Sequence, residues 1–166
     1  MKEVNKRRLY ADLIKYCDQI GILPEETPML ILERKEYHAL LVANGDPKHA
    51  GGYGECNWQQ RTIFVDAGRR GYGYRTYRIL NGGDYVTPKL GQSGYHYRLH
   101  KRGSTEFRAV KATYRTKLHC LVHELVHYRF GYMGHGKAFE KRIDEVLRGK
   151  TFPPKHIDLK GKLHDI

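Results

Sequence analysis

The segment Leu121-Val122-His123-Glu124-Leu125-Val126-His127 carries two histidines four residues apart, with a glutamate directly after the first. On a helix, residues at that spacing stand on one face with Cβ atoms about 5–6 Å apart, so both imidazoles can reach one zinc ion at about 2.0–2.1 Å. Glu124, one residue on, is placed to act as general base toward a water that such a metal activates. Chance placement in a chain of this composition yields H-E-x-x-H only roughly 0.04 times, so the pattern is read as a site rather than as coincidence.

A catalytic zinc needs a third protein ligand. His135 follows His127 by eight residues, between Gly134 and Gly136, and glycines on both sides let the chain fold its imidazole back toward the helix. Glu140 and Glu145 are the alternatives, since a carboxylate from a following helix also completes such sites. The seven residues between the second and third histidines, with Phe130 in the glycine position, disfavour the metzincin pattern. His119, one turn before His123, extends the histidine face and reads as a buried non-ligand or a group behind the ligands. Tyr128, Arg129 and Tyr132 are equal candidates to stabilise an oxyanion.

The elements that must hold these residues follow from periodicity. Thr113 to Phe130 is helical through Leu118, Leu121, Val122, Leu125 and Val126, with the apolar positions facing the core, and Lys137 to Arg148 forms a further helix. Residues 4 to 20 make an amphipathic helix ended by Gly21. Met29 to Glu33 and Ala39 to Ala43 read as strands, and Tyr53 to Cys56 with Thr62 to Asp66 as a hairpin. After Pro153-Pro154 the chain reads as a polar tail, 150–166, with too few apolar residues to assign an element.

Residues 67–111 differ in character. They hold ten Lys or Arg against Asp84 and Glu106, with eight glycines and six tyrosines, and read as an insertion outside the core. Such cations can contact phosphates, and Tyr72, Tyr74, Tyr77, Tyr95 and Tyr97 can stack on unpaired bases. The competing reading is a solvated hairpin whose tyrosines pack across strands, as the alternation Tyr95-His96-Tyr97-Arg98-Leu99 suggests.

Composition sets the outer limits. The 166 residues form one domain with a single core; a net charge of +12 with 40% hydrophobic residues excludes collagen, coiled coil and full disorder. The longest apolar run, Ala39 to Ala43, is far short of a membrane span. No apolar stretch follows the charged N-terminus, so an intracellular protein is expected. Cys17, Cys56 and Cys120 lack C-x-x-C spacing and read as reduced thiols.

His123-Glu124-Leu125-Val126-His127 followed by His135-Gly136-Lys137-Ala138-Phe139 resembles the SprT-like zinc metalloproteases and their smaller YgjP/WLM-type relatives, in which an H-E-L-x-H helix precedes an H-G-x-x-F or H-S-x-x-F loop and another helix. The likeness covers 113–148 well and 4–66 loosely, and the stretch 67–111 is longer than that family leads one to expect. It implies zinc held by His123, His127 and His135, Glu124 as general base, and a minimal zincin fold. Some SprT-like proteases degrade proteins crosslinked to DNA, which would suit a basic chain.

The expectation is therefore an α+β zincin-like domain, a small mixed or antiparallel sheet against the H-E-x-x-H helix. It would hydrolyse peptide bonds, with a strand edge near residues 62–66 aligning an extended substrate. Expected partners are a protein or peptide substrate and, through 67–111, nucleic acid, DNA before RNA, with no membrane. The alternatives are a zinc-dependent endoribonuclease, whose H-x-x-x-H helix needs no glutamate, and a nucleic-acid-binding module with a structural zinc.

Overall fold

A capping box starts the helix that bears the two histidines. In the computed structural model, which describes residues 1–46, 52–68, 70–76, 79–80, 84–85, 105–111 and 113–166, Thr113 precedes helix α3 (Tyr114–Phe130). Its hydroxyl accepts from the Thr116 amide at 3.2 Å while its own amide donates to Thr116 Oγ1 at 3.0 Å, satisfying two backbone groups a helix start otherwise leaves unpaired. At the other end Gly131 takes φ 80, a left-handed value that glycine adopts without strain, and the helix stops. Leu121, Val122, Leu125 and Val126 are fully buried, as their spacing predicts.

Around α3 the described residues form three more helices, α1 (Glu3–Gln19), α2 (Arg34–Ala43) and α4 (Lys137–Leu147). Strands β1 (Met29–Ile31), β2 (Gly54–Asn57) and β3 (Thr62–Val65) make a mixed sheet in the order β1-β3-β2. β3 runs parallel to β1, with Leu30 opposite Ile63, and antiparallel to β2, with Cys56 opposite Ile63. Side chains alternate across this sheet. Leu30, Leu32, Ile63 and Val65 enter the main core with Leu9 and Leu13 of α1, the apolar side of α3, and Phe139, Ile143 and Val146 of α4. Ile31 and Phe64 face the other way, where Tyr37 and Leu41 of α2 cover them and Tyr37 stacks on Phe64 with ring centroids 4.7 Å apart.

Two expectations are corrected. Residues 39–43, read as a strand, are the last turns of α2: Tyr37 and Leu41, four apart, point to the sheet while Val42 is exposed, a helical period that the short run 39–43 hides when taken alone. The strand at 62–66 is no edge, because β3 is paired on both sides and every residue of it is buried. The edge toward α3 is β2. The C-terminal stretch, which the sequence leaves without an assigned element, contains a short hairpin. His156–Ile157 (β8) and Leu163–His164 (β9) pair as a hairpin, Ile157 is fully buried, and its amide donates to Glu26 Oε1 at 3.0 Å. One buried isoleucine and a bonded carboxylate tie the segment down, too little apolar content to register as a pattern in the sequence.

Within 67–111 the backbone forms a ribbon of β4 (Arg70–Thr76) with β7 (Thr105–Lys111), antiparallel and separate from the three-stranded sheet, and a short pair of β5 (Ile79–Leu80) with β6 (Asp84–Tyr85). The segment 95–99 and the side chains expected to stack on bases lie outside the described residues. Cys17, Cys56 and Cys120 are free thiols, as expected. Among the described residues no helix is long and apolar enough to cross a membrane.

Candidate metal centre

His123 and His127 project from one face of α3, both almost fully buried, and their ring centroids are 5.0 Å apart. After Gly131, the chain turns through Gly134, at φ 72, and brings His135 back to 5.1 Å from each of the other two rings. One ligand nitrogen from each histidine lies within 4.8 Å of the others, and Nε2 of His127 and Nε2 of His135 are 3.1 Å apart. A tetrahedral zinc with nitrogens at about 2.0–2.1 Å sets them roughly 3.3 Å from one another, so this donor set fits a metal ion with small adjustments. Glu140 and Glu145 are not in the cluster. Glu140 is buried on α4, and Glu145 pairs with Lys150 and Arg142.

The protonation state suits the task. Burial pushes the His123 ring well below the ordinary histidine value of 6.5, and the neighbouring His127 and His135 push it further. Burial, then His135, lowers His127 to about 4, against an opposing backbone hydrogen bond at Gly131. Partial burial lowers His135 as well. All three are therefore neutral near pH 7, the form whose lone pairs bind metal. His119 is also buried, with burial alone lowering it to about 3, but it stands outside the cluster and serves as a core residue.

Glu124 lies beside the triad, 4% exposed, its Oε1 3.6 Å from Nε2 of His123. Phe139 forms the wall behind all three ligands, with its ring 4.3 Å from His127, 4.8 Å from His123 and 5.3 Å from His135. In front, a cleft of about 530 Å³ opens between the triad and β2, lined among others by Tyr53, Gly54, Glu55 and Trp58.

β2 is held over the site by its turn. Trp58 Nε1 donates to the Tyr128 carbonyl at 2.9 Å, one of the last helix carbonyls, which lack an intrahelical partner. Arg61, at φ 44, donates to the Tyr128 hydroxyl at 2.8 Å, and that hydroxyl donates to the Glu26 carbonyl at 2.6 Å. Tyr128 is thus fully committed away from the cleft. So is Arg129, whose guanidinium donates to the carbonyls of Ile20 and Pro153. Of the three expected oxyanion candidates only Tyr132 lines the cleft, its ring stacked at 5.6 Å from that of His127.

The β2 contribution was not foreseen. A glycine inside a strand signals close backbone approach, and Gly54 is such a position, but which element approaches it is not encoded locally. Compared with known proteins, the chain matches no family model, no curated protein and no solved structure. The chemistry must therefore be argued from the site: three convergent neutral imidazoles that can hold a metal ion, next to a buried carboxylate and an open cleft.

Proposed function

We propose that the chain is a zinc-dependent metallopeptidase of zincin type, akin to the SprT-like proteases. The carrying observation is the convergence of His123, His127 and His135 with the carboxylate of Glu124 at the floor of a cleft bordered by β2, an edge strand among the described residues. Three nitrogen donors suit zinc, and three protein ligands are the number that catalytic zinc sites use. Bound there, zinc supplies Lewis acidity toward carbonyl and water oxygens.

The protein's own groups account for the remaining steps. An extended peptide adds by main-chain hydrogen bonds to the side of β2 that no strand covers among the described residues, which carries its scissile bond past the triad. Glu124 takes a proton from the attacking water and delivers it to the leaving nitrogen, so the C–N bond breaks to a carboxylate and an amine. Tyr132, the oxyanion candidate that lines the cleft, is the group assigned to the developing oxyanion. A ribonuclease built on three histidines gives Glu124 no task, and the buried position of this carboxylate beside His123 favours the peptidase reading.

The test joins metal content with activity. Purified wild type should hold close to one zinc per chain, and His123→Ala or His127→Ala should lose most of it. Glu124→Gln should keep its zinc while cleavage of an unfolded basic protein falls by roughly 10²–10⁴-fold, the scale of a lost general base. Cleavage of a structured RNA that is equal in wild type and Glu124→Gln, with no peptide cleavage by either, would sink the proposal.

A further inference from the structure

We infer that Glu55 is a specificity-determining residue, and that the substrate strand carries lysine or arginine at the position it meets; the inference rests on the peptidase reading above. Alternation along β2 puts Gly54 and Cys56 on the α3 side of the sheet, where the position of a Cβ on Gly54 would face Glu124. Glu55 and Asn57 fall on the opposite side, toward α2. There the hydroxyl of Tyr37, a residue only 1% exposed, donates to one oxygen of the Glu55 carboxylate, and Asn57 Nδ2 donates to the same hydroxyl at 3.4 Å.

A phenol donor orients a carboxylate without neutralising it. Although the chain has 30 lysines and arginines, none pairs with Glu55 among the described residues. A half-buried carboxylate therefore stands on the α2 face of the strand that borders the cleft, fixed in direction by Tyr37 and with no cation paired to it among the described residues. A strand added to β2 places one side chain beside it, since directly opposed residues have Cβ atoms about 4.5–5.5 Å apart, and a lysine or arginine reaches the carboxylate from there. The residues on either side of that cation point instead to the metal side.

A position-scanned set of quenched decapeptides, each with Lys, Gln or Glu at one site, measures this against the zinc-loaded protein. At one position relative to the cut, wild type should prefer Lys over Glu by about tenfold in kcat/KM, the scale of one favourable charge contact exchanged for a repulsive one. Glu55→Gln keeps an acceptor for the Tyr37 hydroxyl but loses the charge, so the preference should fall to near unity with zinc content unchanged. Glu55→Lys should invert it. If peptides are cut with the same Lys-to-Glu ratio by wild type and Glu55→Gln, the role of Glu55 is overturned and the peptidase reading stands. If zinc-loaded wild type cuts no member of the set, both fall.

Discussion

Gly54 is the residue that sets the room left for the proposed base. A Cβ there would lie 2.9 Å from the carbonyl oxygen of Phe64, 3.2 Å from Cγ of Glu124 and 3.3 Å from its Oε1. The first is backbone across the strand pair and cannot yield cheaply, so the added methyl would press on the Glu124 carboxylate instead. Gly54→Ala should therefore lower kcat by roughly ten- to a hundredfold, the cost of a misplacement on the ångström scale, while KM and bound zinc change little. Steady-state kinetics with metal analysis on the same sample check this. A KM effect with kcat intact would mean that Gly54 serves substrate entry and not the carboxylate.

At the scale of elements, the candidate metal site depends on α3, whose two ends are held by different means. The start relies on the local Thr113–Thr116 box. The C-terminal turn relies on Trp58 and Arg61, reaching in from the β2–β3 turn to the Tyr128 carbonyl and hydroxyl. Loss of the cap hydroxyl in Thr113→Ala should cost about 1 kcal/mol, since the Thr116 amide loses its acceptor while the Thr113 amide keeps Thr116 Oγ1. In a chain of this size that appears as a fall of about 2–4 °C in melting temperature, read by calorimetry. Zinc content should not change, because His123 lies more than two turns beyond the cap.

For the whole molecule, the buried histidines tie stability to pH. His119, at about 3, and His127, at about 4, hold folded values below the ordinary 6.5 because the interior disfavours their charged form. The unfolded chain then binds more protons than the folded one between those values, so stability rises with pH through this window. It is fully present above about 6.5 and is lost as pH falls toward 4 and below. Melting of the chelator-treated protein should show a plateau above neutrality and a steep decline beneath it. His119→Leu should make that decline shallower by removing one of the titrating groups while keeping an apolar filler in the core. A slope unchanged in this variant would place the proton uptake elsewhere.

Spacing alone determined the helix and which of its histidines could share a metal ion. His123 and His127 share a face because 3.6 residues make a turn, Thr113 caps and Gly131 stops that helix through local backbone bonds, and Gly134 and Gly136 mark where His135 can swing back. These are properties of neighbours in the chain, so they can be read from it. The tertiary structure decided everything that depends on what approaches from a distance. It made β3 the central strand and β2 the edge, since order in a sheet follows which faces can be buried between α2 and α3. It turned Tyr128 and Arg129 into braces and left Tyr132 at the cleft. It folded 156–164 into a hairpin on Glu26, and it set Gly54 against Glu124 and Glu55 against Tyr37. Each of these pairings joins residues far apart in sequence, and their choice rests on mutual burial and hydrogen-bond satisfaction across the core, which no local spacing records.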